Sequence, residues 1–353
     1  MHDLALVFQM KRYKCTVAYC GAHYSGWQIQ PDGNSVQDHI ERAIQEIAHE
    51  PVHITASGRT DAGVNAWGQV FHFDTDMVMK PRKWTGAINS RLPDDIHIRL
   101  TEEAPKFFHA RFCVRSKCYE YRINLGEYDV FSKDYAYQCP YYLDVDLMKQ
   151  ASLYLVGTHD FTSLNSTPLK EIKDQVRTVD SIDFRREGSQ LVLSFTGKGF
   201  LRYMVRMMTA QLMEVGRHRM TPEELNEMLE ARSKRVDRRN AKPEGLTLMG
   251  VGYFDILGMT DDMMIREYLR SDVVPDWYRP EERSAVQPEL FYVMTERHGQ
   301  RVTGILECSD QNSPAKLLID DENDLGQAEE MLKDASVYLK EHELSEGCEI
   351  VAR

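Results

Sequence analysis

The chain has 353 residues, 42% of them apolar, which is enough for domains with a well-buried core. No apolar run approaches the roughly 18 residues of a membrane span, and the N-terminal run LALVF is too short for a signal-peptide core. Seven scattered cysteines form neither a metal-binding spacing nor a disulfide pattern. The sequence therefore predicts a cytoplasmic protein with reduced thiols, no membrane association and no metal site.

Charge is distributed unevenly along the chain. The net charge is −12, and residues 257–353 carry all of it, with 22 Asp and Glu against 10 Lys and Arg. Residues 1–256 are balanced, with 33 acidic and 33 basic side chains. A balanced body can still present a local basic surface that attracts phosphates, so the acidic total does not exclude a nucleic-acid partner.

Runs in which apolar residues alternate predict β-strands with one buried face. Four such runs occur, YKCTVAY, IHIRL, YEYRI and LVLSF. The residues expected on their buried faces are Tyr13, Cys15, Val17, Tyr19, Ile96, Ile98, Leu100, Tyr119, Tyr121, Ile123, Leu191, Leu193 and Phe195. Each run is long enough for a strand of ordinary length.

Three helices are predicted between these strands. Ser35 is expected to cap the first, in which apolar residues recur at helical spacing. The second is expected over residues 200–216, with an apolar stripe that begins at Leu201. The third opens with the run TPEE, in which Thr221 and Glu224 form a capping box. Strands and helices mix without a strict βαβ order, which favours an α+β fold.

The texture of the chain changes after residue 256. Residues 257–290 contain three prolines and many charges, which predicts a linker or an irregular connection. Residues 291–353 combine several strand-like runs with an amphipathic helix over residues 325–339. We therefore expect a small acidic α/β module at the C-terminus.

The run GRTDAG places an arginine and an aspartate between two glycines, just before a strand-like run. Gly58 and Gly63 allow backbone conformations closed to other residues, so Asp61 can be held at a turn close to a ligand. The neighbouring guanidinium of Arg59 favours an ionised carboxylate, as a nucleophile or an electrostatic stabiliser requires. An Asx-type turn that only joins two strands explains the same residues.

A second cluster is basic. Lys198, Arg202 and Arg206 are four residues apart, so on a helix they would share one side and could meet phosphates or a carboxylate. A solvated basic face accounts for them equally well. The run lacks the glycine spacing of a phosphate-binding P-loop.

Residues 108–123 interleave basic with aromatic side chains, and the basic ones include Arg111, Arg115 and Lys117. This mixture suits RNA, in which phosphates need charge and unstacked bases need a flat partner. The aromatic residues can equally be the core of a strand, which we favour for Tyr121. The basic run in residues 232–242 is either a helix end or a further phosphate contact. The twelve histidines form no metal-ligand pair, and His72 and His109 are expected in the core or at the surface.

Ten segments, in order and spacing, resemble the tRNA pseudouridine synthase A family over about residues 11–254. They are YSGWQ (24–28), SVQ (35–37), GRTDAGV (58–64), GQVFHF (68–73), FHARF (108–112), YEYRI (119–123), HDFTSL (159–164), GKGFLRYMVR (197–206), LMEVG (212–216) and PEGLTL (243–248). The resemblance implies a mixed, mostly antiparallel sheet with flanking helices, in two halves (11–110 and 111–256) around a central cleft. It also implies isomerisation of uridine to pseudouridine in the anticodon arm of tRNA by a homodimer without a cofactor.

The resemblance assigns roles by position. Asp61 matches the essential aspartate of the family, Arg59 its ion-pairing arginine, and Tyr119 the tyrosine that stacks on the target uracil. Arg206 matches the arginine near the aspartate, and Leu246 matches an apolar pocket residue. We further expect Lys198, Arg202, Arg111 and Arg115 to contact RNA.

Three positions depart from the family pattern. Asn65 replaces a more frequent histidine, Trp67 a smaller residue and Ile29 a frequent basic residue. Two rival functions follow, an RNA-binding or folding factor without catalysis and a synthase for a different RNA site. The noncatalytic rival is disfavoured by the presence of four residues together, Asp61, Arg59, Tyr119 and Arg206. The C-terminal module matches nothing, and we expect a protein partner for it.

Overall fold

The structure is a computed structural model. It describes residues 10–104, 108–111 and 113–253, and the backbone of five strands beyond them. The chain divides into two compact units, residues 1–254 and 255–353. The first unit combines one mixed sheet with helices, so the predicted α+β class is confirmed.

The first unit contains the following strands and helices, in chain order: β1 Lys11–Tyr19, α1 Val36–Ala48, β2 Thr55–Ala56, β3 Asn65–Thr75, α2 Pro81–Asn89, β4 Ile96–Ala104, β5 Val114–Asn124, β6 Tyr137–Gln138, α3 Val145–Ser152, β7 Gly157–Asp160, β8 Val176–Glu187, β9 Gln190–Gly197, α4 Met204–Gly216, α5 Pro222–Glu230 and β10 Leu246–Tyr253. Single turns of 3₁₀ helix lie at Gly21–His23, Thr162–Leu164 and Pro243–Gly245. Among these helices, none has the length and hydropathy that a membrane span requires.

The strands form one sheet in the order β4-β1-β3-β10-β5-β9-β8-β7, with β2 beside β3 and β6 beside β5. Neighbours along this path are antiparallel except at its centre, where β3 and β10 run parallel. At that pair Asn65 lies opposite Thr247 and Ala66 opposite Leu248. The starts of β3 and β10 therefore lie side by side in the middle of the sheet.

Most of the predicted local features are present. The inward residues of β1, β5 and β9 are all buried, as their alternation predicts. Ser35 caps α1 and Thr221 caps α5, each through a capping box, with Asp38 and Glu224 as the partners. These predictions are confirmed because each depends on a signal within a few residues.

Two local predictions are wrong in detail. Leu100 was expected in the core, but its side chain is 49% exposed. The pairing of β1 with β4 shifts register between Thr16 and Val17, which puts Ile98 and Leu100 on opposite faces. The helix expected over residues 200–216 begins only at Met204, because the backbone of Tyr203 is left-handed.

The second unit contains a five-stranded sheet in the order β11-β12-β13-β14-β15 among its described residues. Its strands are β11 Met264–Leu269, β12 Glu289–Arg297, β13 Gln300–Cys308, β14 Ala315–Ile319 and β15 Cys348–Ala352. Strand β11 lies within the segment 257–290 that was expected to be a linker or an irregular connection. The helix expected over residues 325–339 lies outside the described residues.

Candidate active site

The predicted site residues gather where the two parallel strands begin. Asp61 lies four residues before β3, and Leu246 is the first residue of β10. Tyr119 lies on β5, directly opposite Leu248 of β10. Arg206 belongs to the first turn of α4 and reaches Asp61 across 145 residues of sequence. Four separate elements thus contribute to one site.

The turn that carries Asp61 is fixed by close packing on both sides. The Val64 amide donates to the Asp61 carbonyl at 3.1 Å, and Gly63 between them has a φ of +77°. A Cβ at Gly63 would lie 2.9 Å from Cγ of Pro243. On the other side, the Trp27 amide donates to the Thr60 carbonyl at 3.1 Å. The carboxylate is therefore presented by a rigid backbone rather than by a mobile loop.

A lysine and a glutamine support the turn from behind. Lys117 Nζ donates to the Ser57 carbonyl at 2.7 Å, and Gln69 Nε2 donates to the Gly58 carbonyl at 2.8 Å. Burial lowers the pKa of Lys117 to about 8, and the charge of Arg111 adds to this effect. Lys117 was expected among the basic residues that suit RNA, but its ammonium group is buried against the turn instead. No local pattern in the sequence marks this contact between β5 and the turn.

Asp61 and Arg206 form a partly buried ion pair. Arg206 Nη1 lies 3.2 Å from Asp61 Oδ2, and the two side chains are 10% and 22% exposed. Arg206 Nε also donates to the Ala241 carbonyl at 2.8 Å, which fixes the guanidinium plane. Burial raises the pKa of Asp61, and the Arg206 guanidinium opposes that rise without cancelling it. Because Arg206 is buried, the interpretation of the basic cluster as a solvated face is wrong for this residue.

Buried aromatic and apolar side chains lie on β5 and at the start of β10, beside the part of the sheet where Asp61 lies. Tyr119 is buried and meets the Phe200 ring edge to face, with ring centroids 5.4 Å apart. Burial raises the pKa of Tyr119, with a smaller contribution from the charge of Asp61. Leu246 is buried opposite Tyr121 on β5. The uncharged phenol of Tyr119 therefore lies close to the ionisable group of Asp61.

The remaining predicted residues are exposed. Arg59 forms no ion pair or hydrogen bond with the part of the chain that the structure describes, so Arg206 makes the ion pair expected of Arg59. The reason is that Arg59 points outward from the turn, whereas Arg206 projects from a buried helix. Arg202 is exposed and donates to the Ser166 hydroxyl at 2.9 Å. The other exposed residues are Lys198, Arg111 and Arg115.

Two of the unusual residues have distinct roles in the structure. Asn65 is buried, and its amide group accepts from the Gly21 amide at 2.8 Å and donates to the carbonyls of Asp134 and Glu244. It ties three loops together beside the site. Trp67 is 53% exposed and lies against the Arg99 guanidinium, 4.1 Å from ring centroid to Cζ.

Histidine, cysteine and acidic side chains are the ones that could hold a metal ion. Within residues 10–104, 108–111 and 113–253, no group of three or more His, Cys, Asp and Glu side chains could hold a metal ion. His72 and His109 contact each other, with ring centroids 4.9 Å apart. Burial lowers their pKa values to about 4 and about 3, so both rings are neutral near pH 7.

Known proteins are similar to this chain over about 245 residues. A family model described as tRNA pseudouridine synthase matches residues 16–113 and 151–254. The tRNA pseudouridine synthase A of Anoxybacillus flavithermus is 43% identical over 246 residues, covering 69% of this chain and 99% of that protein. A protein of the same name from Exiguobacterium sp. is 43% identical over 244 residues, covering 69% and 98%. The tRNA pseudouridine synthase A 1 of Bacillus cereus is 42% identical over 246 residues, covering 69% and 99%. The chain therefore belongs to the tRNA pseudouridine synthase A family, and it is an isomerase of the pseudouridine synthase class.

Proposed function

We propose that this chain isomerises uridine to pseudouridine in the anticodon arm of tRNA, with Asp61 as the reacting carboxylate and without a metal or organic cofactor. The observation that carries the proposal is the ion pair of Asp61 with Arg206, at 3.2 Å in a partly buried turn at the centre of the sheet. The names of the relatives support tRNA as the substrate.

The isomerisation breaks the C1′–N1 bond of uridine, turns the base and joins C5 to C1′. The protons balance, because C5 loses one proton and N1 gains one. A carboxylate beside the sugar can attack C1′ or remove the 2′ proton in a glycal route, and both roles require the ionised form. Arg206 serves this requirement because its charge opposes the effect of burial on the pKa of Asp61.

The target nucleotide must leave its stack, which costs a few kcal/mol. Tyr119 lies beside Asp61, where its ring would replace part of that lost stacking, worth roughly 1–3 kcal/mol per base. Leu246 would contribute an apolar wall of the uracil pocket. Arg59, exposed on the same turn as Asp61, would hold the opened RNA.

The wider RNA contact would come from exposed cations. Lys198, Arg202, Arg111 and Arg115 are all exposed, and the charge of Arg202 reaches Asp61. Each would neutralise a backbone phosphate, so tRNA affinity should fall with rising salt.

We also propose a cytoplasmic homodimer whose acidic C-terminal module contacts another protein. The thiols of the five cysteines in the described residues are free, which supports a reducing compartment. The family match ends at residue 254, where the first compact unit ends, so the acidic region is an addition to the synthase. Analytical ultracentrifugation of the full chain tests the dimer, and a monomer at micromolar concentration would contradict it.

The direct test of the proposed function maps pseudouridine in tRNA. Total tRNA that lacks the modification is incubated with the wild-type chain or with Asp61→Asn, and sites are read by carbodiimide labelling and primer extension. We expect new sites in the anticodon arm with the wild type alone. The tRNA affinity of Asp61→Asn should stay within a few-fold, because the carboxylate serves chemistry rather than docking.

Each outcome has a defined meaning. New pseudouridine outside the anticodon arm would overturn the target but leave the chemistry. Equal conversion by Asp61→Asn would overturn the role of Asp61. Absence of any new site with the wild type would favour the RNA-binding factor without catalysis.

A further inference from the structure

Tyr203 has an unusual backbone conformation beside the active site. Its φ is 62° and its ψ is 2°, and it is the residue that precedes the first turn of α4. Bulky residues seldom adopt this left-handed conformation, because Cβ crowds the following carbonyl. The Tyr203 side chain also makes no capping hydrogen bond. Local preference therefore does not account for a tyrosine at this position.

The Tyr203 ring lies against both arginines of the basic cluster. The distance from its centroid to Cζ is 4.9 Å for Arg206 and 5.9 Å for Arg202. Both distances lie within the range of a cation–π contact. The Arg206 guanidinium is thus held by the Ala241 carbonyl, the Asp61 carboxylate and the Tyr203 ring.

We propose that Tyr203 is a positioning residue, whose ring holds the Arg206 guanidinium in place against Asp61. This inference rests on the proposed role of Asp61 in the isomerisation. The ring acts through Arg206.

The left-handed backbone is what puts the ring there. The Met204 amide donates to the Leu201 carbonyl at 3.0 Å, and the Met207 amide donates to the Tyr203 carbonyl at 2.8 Å. The chain thus makes a turn over residues 201–204 that contains Tyr203, and α4 starts directly after Tyr203. Asparagine or glycine would adopt the same conformation at lower cost. A strained backbone of this kind persists where function requires it. The contact of the Tyr203 ring with Arg206 is such a requirement.

The test separates the ring from the backbone. Tyr203→Asn removes the ring and keeps a residue that tolerates the left-handed conformation. Tyr203→Phe keeps the ring and is the matched control. Two readouts are used on the full chain, the pH dependence of kcat and KM with tRNA, and the carbon-13 titration of the Asp61 carboxyl, assigned by its loss in Asp61→Asn.

We expect kcat of Tyr203→Asn to fall roughly three- to thirtyfold, with a smaller change in KM. A guanidinium that is less well fixed opposes the burial of Asp61 less, so the pKa of Asp61 should rise. The acid limb of the kcat profile should move to higher pH with it. Tyr203→Phe should match the wild type in both readouts.

Wild-type titration and wild-type kcat in Tyr203→Asn would overturn the proposal. Equal impairment of Tyr203→Phe would also overturn it, because the hydroxyl rather than the ring would then matter. If the wild type makes no pseudouridine, the proposed function fails by itself. The Asp61 titration, which needs no substrate, then still decides whether Tyr203 positions Arg206.

Discussion

Two helices of equal length, α1 and α4, are built in opposite ways. Helix α1 has one buried face, exposed residues such as Arg42 and Glu46 on the other, and a capping box at Ser35. Helix α4 is buried on all sides, and it begins at the strained Tyr203 without a side-chain cap. Both have 13 residues.

The difference between the two helices follows from their roles. Helix α1 supports the sheet, whereas α4 supplies a residue to the candidate active site. The signals at the start and along the buried face of α1 agree with its place on the sheet, as expected of an element selected for stability. Helix α4 departs from local preference at its first turn, where it supplies Arg206 to Asp61. Such departures are expected at functional sites, where stability is given up for geometry. One clear departure from local preference, at Tyr203, therefore lies beside the ion pair of Arg206 with Asp61.

Among variants of the two helices, Arg206→Gln should have the largest effect, because it removes the cation that pairs with Asp61 at the start of α4. Asp61 then lacks its ion-pair partner, so only the weaker effect of the Arg202 charge opposes the rise that burial causes in its pKa. We expect kcat to fall by roughly 100-fold, as when a preorganised electrostatic partner is removed. Stopped-time pseudouridine assays and thermal unfolding measure activity and stability together.

Arg217→Gln is the matched control at the other end of α4. Arg217 pairs with Glu214 at 2.8 Å, and both side chains are nearly as buried as Arg206. Arg217 lies about 16 Å along the helix from Arg206. The control should lose stability but keep kcat within twofold. Equal loss of kcat in both variants would show that the helix acts only as a scaffold.

The pH dependence of stability tests the electrostatics of the site. Because burial raises the pKa of Asp61, the folded protein binds its proton more tightly than the unfolded chain does. The contribution of Asp61 to stability is thus greatest below the ordinary aspartate pKa, and it is lost as pH rises through the raised value. We expect Asp61→Asn to melt at a higher temperature than the wild type at pH 7, with the difference shrinking towards pH 4.

Asp74→Asn provides the contrasting control for that measurement. Asp74 binds Arg12 through both oxygens, at 2.7 Å and 2.6 Å, away from the turn that carries Asp61. Its loss should lower the melting temperature at pH 7. A destabilised Asp61→Asn at pH 7 would contradict the view that the ionised carboxylate costs stability.

The cap of α1 should give the smallest effect. Ser35→Ala removes the acceptor for the Asp38 amide, which typically costs about 1 kcal/mol. The melting temperature should drop by roughly 2–4 °C with kcat unchanged. Thr221→Ala at α5, which loses the same kind of cap, should behave alike. A loss of kcat in Ser35→Ala alone would mean that α1 also contributes to the active site.

Local features of the fold were predictable, and features set by a distant partner were not. The caps at Ser35 and Thr221 and the buried faces of β1, β5 and β9 depend on neighbouring residues alone. The prediction that Leu100 is buried was wrong, because a register shift in the pairing with β1 determines which face of the sheet Leu100 occupies. Alternation within one strand cannot reveal a bulge in the pairing with the next.

The same division holds at the site. Asp61 and Arg206 were identified by their motifs, but their pairing joins segments 145 residues apart, and Arg59 had seemed the closer partner. Lys117 was grouped with the basic residues that suit RNA, because its contact with the turn is made across the sheet. Tyr203 carried no signal, because it adopts a conformation that tyrosine rarely takes. In both cases the position of the side chain depends on the tertiary structure around it.

Tritium release from tRNA labelled at uridine C5 tests the central claim most directly, because joining C5 to C1′ must expel the C5 hydrogen. The assay compares the wild type with Asp61→Asn at pH 7, with excess enzyme and the same labelled tRNA. The wild type should release one tritium per modified uridine, and Asp61→Asn should release no more than a protein-free control. Release by Asp61→Asn at a rate near that of the wild type would contradict the assignment of Asp61 as the reacting carboxylate.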